Sequence, residues 1–213
     1  MSYNNGHTNG AGRNGAGGRH SKKRVGVLAL QGDFDAHAKA ITLAGGDAVE
    51  VRTAEQLGAV DGLVIPGGES TAMLKLLNIM NLVEPLAEFA RTKPVFGTCA
   101  GAILLATEVL NPSQQSFGAM DLTVERNAYG RQIDSRVAMI SPGEEFQARA
   151  GEGDVEAVFI RAPIIRRTGP GVKVLAEYDG DPVLVEQGRH LVATFHPELT
   201  HDARVHRLFL SKI

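Results

Sequence analysis

The tightest constraint on how this chain can fold lies at Gly97-Thr98-Cys99-Ala100-Gly101. A short apolar run, Val95-Phe96, leads into it, and a second apolar run, Ala100 to Leu110, leaves it. Glycines two residues before and after a reactive side chain form the G-x-S-x-G nucleophile elbow, here with cysteine in place of serine. Such an elbow demands a strand, then a sharp turn, then a helix. The nucleophile's backbone is strained at that turn, and Cβ atoms on its flanks would collide. The helix beyond points the positive end of its dipole at the thiol and favours the thiolate. A lone cysteine is ordinarily a small inert hydrophobe. That reading leaves the paired glycines without a reason.

A cysteine nucleophile needs a base, and the base needs an orienting group. Phe195-His196-Pro197-Glu198 follows the strand-like run Leu191-Val192-Ala193-Thr194. In extended backbone, residues i and i+2 share a face, which brings His196 and Glu198 side by side. Pro197 fixes φ and is expected to keep the segment from becoming helical. A carboxylate beside the imidazole holds one tautomer and stabilises the imidazolium.

From Val25 onward, apolar strands alternate with amphipathic helices. Strands are expected at 25–30, 48–51 and 62–65, and helices at 34–44, 71–80 and 82–91. Asp33 caps the first helix, and Pro85 fits only within the first turn of the third. After the elbow and its helix, 100–110, strands follow at 122–125, 137–140, 155–160, 172–177, 183–186 and 191–195. A last helix spans 203–210. This order predicts an α/β fold, a three-layer sandwich with a mostly parallel sheet and helices on both faces. Sites in such sheets lie at the carboxyl ends of the strands. Leu30-Gln31, Pro66-Gly67-Gly68, Thr98-Cys99 and Phe195-His196 all fall at such ends.

The 213 residues, 43% of them hydrophobic, suffice for one domain. One cysteine excludes a disulfide framework and a Cys-rich zinc site. No run matches a membrane span or a signal peptide, so a cytoplasmic protein is expected. A net charge of −2 argues for neither nucleic-acid nor membrane binding. Residues 1–24 carry Arg13, Arg19, Lys22, Lys23 and Arg24, no acid, and many glycines and asparagines. They are expected to form a disordered basic tail, with the folded domain at 25–213.

Several stretches in order identify the chain as similar to a known group. They are Leu30-Gln31-Gly32, Pro66-Gly67-Gly68-Glu69-Ser70-Thr71, the elbow, Val124-Glu125-Arg126-Asn127, Tyr129-Gly130-Arg131-Gln132, Phe159-Ile160-Arg161-Ala162-Pro163 and Phe195-His196-Pro197-Glu198-Leu199-Thr200. The elbow and His-Pro-Glu resemble class I (triad) glutamine amidotransferases. The Pro-Gly-Gly-Glu-Ser-Thr, Glu-Arg-Asn and Ile-Arg-Ala-Pro stretches resemble, within that class, the glutaminase subunits of pyridoxal 5'-phosphate synthase. The N-terminal tail and a C-terminus soon after the last helix depart from that pattern.

The resemblance implies hydrolysis of L-glutamine to L-glutamate and ammonia by Cys99, His196 and Glu198. The ammonia is then handed to a (β/α)8-barrel synthase subunit within a large hetero-oligomer that makes pyridoxal 5'-phosphate. It implies glutamine binding by Gly68, Glu69, Ser70, Arg126, Ile160 and Arg161. Opposite charges suit a zwitterionic substrate, with Glu69 for its ammonium and Arg126 and Arg161 for its carboxylate. Oxyanion donors are expected from the backbone of Ala100 and Gly68, with Gln31 assisting when the partner docks. No cofactor and no metal are implied. His37 is expected on a helix surface near the partner-facing rim, and His201 and His206 on ordinary faces of the last helix. Two other readings stay open. One is a related elbow-cysteine hydrolase of the γ-glutamyl hydrolase or DJ-1/PfpI kind, although the latter usually has histidine where Ala100 stands. The other is a non-catalytic partner subunit.

Overall fold

In the computed structural model of the chain, residues 1, 22–127 and 135–213 are described. Most of the expected basic tail and the Tyr129-Gly130-Arg131-Gln132 stretch lie outside them. The first half follows the alternating pattern: β1 (Arg24–Leu28), α1 (Phe34–Ala44), β2 (Asp47–Val51), α2 (Ala54–Gly58), β3 (Gly62–Ile65), α3 (Ser70–Ile79), α4 (Val83–Thr92), β4 (Val95–Thr98) and α5 (Ala100–Leu105). The second half is richer in strands: β5 (Ala106–Leu110), β6 (Met120–Glu125), β7 (Ser135–Ile140), α6 (Glu144–Ala150), β8 (Val155–Ile160), β9 (Ile164–Thr168), β10 (Val172–Tyr178), β11 (Asp181–Gln187) and β12 (His190–Ala193). A 3-10 turn at Pro197–Leu199 and helix α7 (Arg204–Leu210) complete it.

Seven strands form the central sheet in the order β10-β11-β12-β4-β3-β1-β2. The neighbours from β12 to β2 are parallel, and β11 and β10 add antiparallel pairs at one edge. Alternate strand residues point to opposite faces, so each strand feeds two cores. Leu28, Leu63, Ile65 and Val95 pack with Met73, Leu77, Leu86 and Leu104 from α3, α4 and α5. Val25, Val27, Val64 and Phe96 pack with Ile41, Phe146, Val205 and Phe209 from α1, α6 and α7. This is the expected three-layer α/β arrangement. Two small sheets, β5-β6-β9 and β7-β8, accompany it.

Local chemistry accounts for the helix ends. Asp33 accepts from Ala36 N at 3.2 Å, and Gly45, with φ 101°, terminates α1 in the left-handed region that glycine enters without strain. Pro85 falls in the first turn of α4, where its missing N–H has no helical partner to lose.

The expected helix from Ala100 to Leu110 is shorter in the structure. It stops at Leu105, and 106–110 form β5, paired with β6. Thr107 Oγ1 there accepts from Leu122 N at 3.0 Å and donates to the Met120 carbonyl at 3.0 Å, a β-branched residue favouring the ladder over the helix. Elements α2, α6 and β9 were not expected. The last is held to β6 partly by charge, through Arg167 with Asp121 and Arg166 with Glu125. No helix among the described residues is long and apolar enough to cross a membrane.

Candidate active site

Cys99 sits between β4 and α5 with φ 47° and ψ −100°. A non-glycine residue at positive φ is strained, and surrounding structure must hold it there. Its N–H donates to the Ala193 carbonyl of β12 at 2.9 Å, and its carbonyl accepts from Ala102 N at 3.1 Å. The glycines do what the elbow requires. A Cβ on Gly101 would lie 2.2 Å from the Ile65 carbonyl oxygen, and one on Gly97 would lie 2.6 Å from the backbone of Gly101. Helix α5 can therefore lie directly against β3 and β4. The sulfur stands 3.9 Å from the Ile160 carbonyl oxygen.

His196 follows β12, the strand beside β4, with its N–H donating to the Val158 carbonyl at 2.8 Å. Its Nδ1 lies 2.7 Å from Glu198 Oε1. The two residues are adjacent as expected, but not through extended backbone. Pro197 opens a 3-10 turn, with Leu199 N donating to the His196 carbonyl at 3.3 Å. Proline's fixed φ suits the first position of a helical turn, so the residue expected to prevent helix instead starts one.

The protonation balance at this pair is set by neighbours. Burial disfavours charge on His196, but hydrogen bonding and charge from Cys99 and Glu198 outweigh it and raise its pKa to about 10. Burial likewise works against the Glu198 carboxylate. The imidazoles of His37 and His196 overcome that and hold it well below the usual carboxylate range. The arrangement favours an imidazolium between a sulfur and a carboxylate.

Cys99 and His196 open on a cavity of about 230 Å³. Gly68, Glu69, Ser70, Arg126, Ile160 and Arg161, all expected at the substrate, line it. Glu69 caps α3, accepting from Thr71 N at 2.9 Å and Ala72 N at 2.7 Å, and pairs with Arg126 at 3.2 Å. The two charges expected to divide between substrate groups thus meet each other across the cavity wall. Arg126 also donates to Thr71 Oγ1 at 2.8 Å, and Ser70 donates to Gln114 Oε1 at 3.0 Å. Arg161 and Asn127 adopt positive φ, 46° and 52°, at the rim. Gln31 packs on Gly68, whose Cβ would meet Gln31 Nε2 at 3.3 Å, and its Oε1 is buried with no hydrogen-bond partner among the described residues. Ala100 is the first residue of α5 and fully buried. Glu198 and Gln31 stand behind the lining, in contact with His196 and Gly68 respectively.

Two histidines are not where the sequence reading puts them. His37 is not on a helix surface, and His206 is not on an ordinary helix face; both are 0% exposed. His37 Nε2 lies 3.0 Å from Thr98 Oγ1 and 3.3 Å from Glu198 Oε2, and its Nδ1 lies 3.0 Å from His206 Nε2. One sequence signal could have found the first of them. His37 is three residues after Phe34 and four before Ile41, on the same apolar stripe of α1. His201 is exposed, but it lies in a bend ahead of α7 and not on a face of that helix. Among the described residues, no group of three or more His, Cys, Asp or Glu side chains is placed to hold a metal ion.

Comparison with known proteins gives this geometry a family. Residues 27–213 match the SNO glutamine amidotransferase family. A pyridoxal 5'-phosphate synthase subunit PdxT from Solibacter usitatus (strain Ellin6076) is 65% identical over 191 residues, covering 90% of this chain and 100% of the relative. A protein of the same name from Thermotoga maritima is 49% identical, over 89% of this chain and 99% of the relative. The crystal structure of a glutamine amidotransferase superposes with a TM-score of 0.79 at 45% identity, covering 88% of this chain and 97% of that one. A chain in the structure of PurLQS from Thermotoga maritima, 16% identical with a TM-score of 0.62, shares the fold over 89% of this chain and 98% of its own length. With its elbow cysteine, neighbouring imidazole and carboxylate on that fold, the chain belongs to the SNO glutamine amidotransferase family.

Proposed function

We propose that this chain is the glutaminase subunit of a pyridoxal 5'-phosphate synthase, hydrolysing L-glutamine to L-glutamate and ammonia. The observation that carries the reading is Cys99 beside His196 on one cavity, with Glu198 behind the imidazole, in a chain of this family. The Cys99 thiolate attacks the γ-amide carbon, and the carbonyl oxygen becomes an oxyanion. The N–H groups of Ala100 and Gly68 stabilise it, with Gln31 supporting the Gly68 loop from behind. His196 gives its proton to the departing ammonia, leaving a thioester. It then takes a proton from water, whose oxygen attacks the thioester, and glutamate leaves as Cys99 is restored. Glu198 holds the imidazole and balances its charge in both halves.

The cavity wall supports recognition of the substrate's amino-acid head. Glu69 and Arg126 offer opposite charges on one rim, Arg161 a second cation, and Ser70 and the Ile160 carbonyl polar contacts. The ammonia goes to a synthase subunit, in this reading a (β/α)8 barrel within a large hetero-oligomer. The glutaminase domain begins near residue 25.

The test is ammonia release from glutamine by the purified chain, assayed with and without its synthase subunit. Cys99→Ala should abolish release while the fold persists, and a glutamine-mimicking electrophile should label the wild type at one site. Measurable turnover by the alanine variant, with contaminating glutaminase excluded, would overturn the mechanism.

A further inference from the structure

Behind the site lies a chain of buried polar groups that the hydrolysis does not use directly. It runs from His206 on α7 through His37 on α1 to the carboxylate of Glu198. His37 lies 169 residues from His206, and the two meet only because α1 and α7 cover the same face of the sheet. Glu198 is 6% exposed, and its Oε1 is taken by His196. Its Oε2 is buried without an aligned hydrogen-bond partner among the described residues, and the polar group facing it is His37 Nε2, which also bonds Thr98 Oγ1.

The positions of the protons follow from which atoms lack partners. A buried carboxylate oxygen facing a bare ring nitrogen would set two lone pairs against each other, so Nε2 of His37 carries hydrogen. In the Nε2–H tautomer His37 Nδ1 accepts, and the donor opposite it is His206 Nε2. The remaining nitrogen, His206 Nδ1, has no hydrogen-bond partner among the described residues. It is left as an acceptor, which costs less than an orphaned buried donor. Burial is the largest cause that lowers the His206 pKa, to about 3, consistent with a neutral ring.

We infer that His37 is a positioning residue for the proposed hydrolysis: its Nε2–H fixes Glu198 through Oε2, and His206 fixes the His37 ring from behind. The inference rests on the glutaminase reading. With His196 on one oxygen and the His37 Nε2–H facing the other at 3.3 Å, the carboxylate is held against rotating away from His196 and against taking up a proton. The groups facing it are His196 from its own turn, His37 from α1 and, one ring further, His206 from α7 with Asp202 beyond. Contact with Thr98 ties the same ring to the residue before the nucleophile.

Glutamine hydrolysis by the complex with the synthase subunit tests this with two variants. His37→Leu removes the donor at similar volume. Its kcat should fall about tenfold or more, with KM within about twofold, because the interaction is with the catalytic machinery and not the substrate. Glu198 loses a partner that favours its charged form, so the acid limb of kcat/KM should move to higher pH. His37→Gln keeps an N–H within reach of Oε2 and should recover most of both. Histidine-labelled ¹⁵N NMR of the wild-type chain gives a check that needs no variant: His37 and His206 should be Nε2–H tautomers. A folded His37→Leu with wild-type kcat and acid limb, equal loss in the Leu and Gln variants, or an Nδ1–H tautomer at His37 would each overturn the inference. A wild-type complex that releases no ammonia would overturn the glutaminase reading itself, and is told apart because it leaves the tautomers as assigned.

Discussion

At the scale of single residues, the placement of one imidazole depends on a missing methyl group. A Cβ on Gly67 would stand 2.3 Å from His196 Cε1, 3.1 Å from its Nδ1 and 3.2 Å from its Nε2. Gly67 is not among the positive-φ residues, so its backbone accepts alanine, and the three nearest atoms its Cβ would meet all belong to the ring. Glu198 holds that ring on the side of Nδ1, so it cannot swing away without losing its orienter. Displacement of a reacting group by about 1 Å costs on the order of a hundredfold in rate. Gly67→Ala should therefore lose tenfold to a hundredfold in kcat while its thermal midpoint stays close to wild type. Steady-state kinetics beside a melting curve checks this. A wild-type kcat would mean that packing against this loop does not set the imidazole.

At the scale of elements, the elbow is a packing device as much as a reactive turn. Gly101 lets α5 touch β3, since a Cβ there would meet the Ile65 carbonyl oxygen at 2.2 Å, and backbone cannot move aside as a side chain can. Overpacking of this kind costs about 1–3 kcal/mol. Gly58, at the end of α2, has nothing within 4 Å of its added Cβ, and alanine at such a position stabilises by about 0.4–1 kcal/mol. Denaturant unfolding at neutral pH should thus move in opposite directions for Gly101→Ala and Gly58→Ala. The same contrast explains what could be read from the sequence. Strands β1, β3, β4 and β12 are short, and residues 25–28, 62–65, 95–97 and 191–193 within them are apolar without a break because both faces are covered, which marks them without a structure. Cys99, His196 and Glu198 lie in local motifs. Elements α2 and α6, at five and seven residues, are too short to show a helical period. The β9 strand carries Arg166 and Arg167 midway, which reads as a loop until Glu125 and Asp121 are placed opposite. His37 and His206 are 169 residues apart, and only the packing of two helices on one face brings them together.

At the scale of the whole molecule, burying histidines within the fold gives stability a particular pH dependence. Burial is the largest cause lowering His206, to about 3, and His190, to about 4, from a usual value of 6.5. His190 accepts from Val95 N at 3.3 Å, where β4 begins. Each binds a proton more readily when unfolded, so its contribution is complete above pH 6.5 and declines as pH falls below that value. Glu198, held below its usual 4.5, loses its contribution in the same direction, but only once pH falls below that figure. His196, raised to about 10, behaves oppositely, its contribution being present below pH 6.5 and lost as pH rises toward 10. Stability should therefore peak near neutrality. Between about pH 6.5 and pH 5 the decline belongs to His190 and His206, before carboxylates matter. A group following the ideal slope gives up about 1.4 kcal/mol per pH unit, or roughly 2 kcal/mol for each histidine over this interval. Unfolding free energies from denaturant titrations at about pH 7 and pH 5 should show that decline in the wild type. In His206→Gln, which carries no titrating group on α7 at that position, the decline should be about half as steep, although the variant starts less stable. An equal decline in both proteins would assign the acid sensitivity to groups other than the buried ring behind the active site.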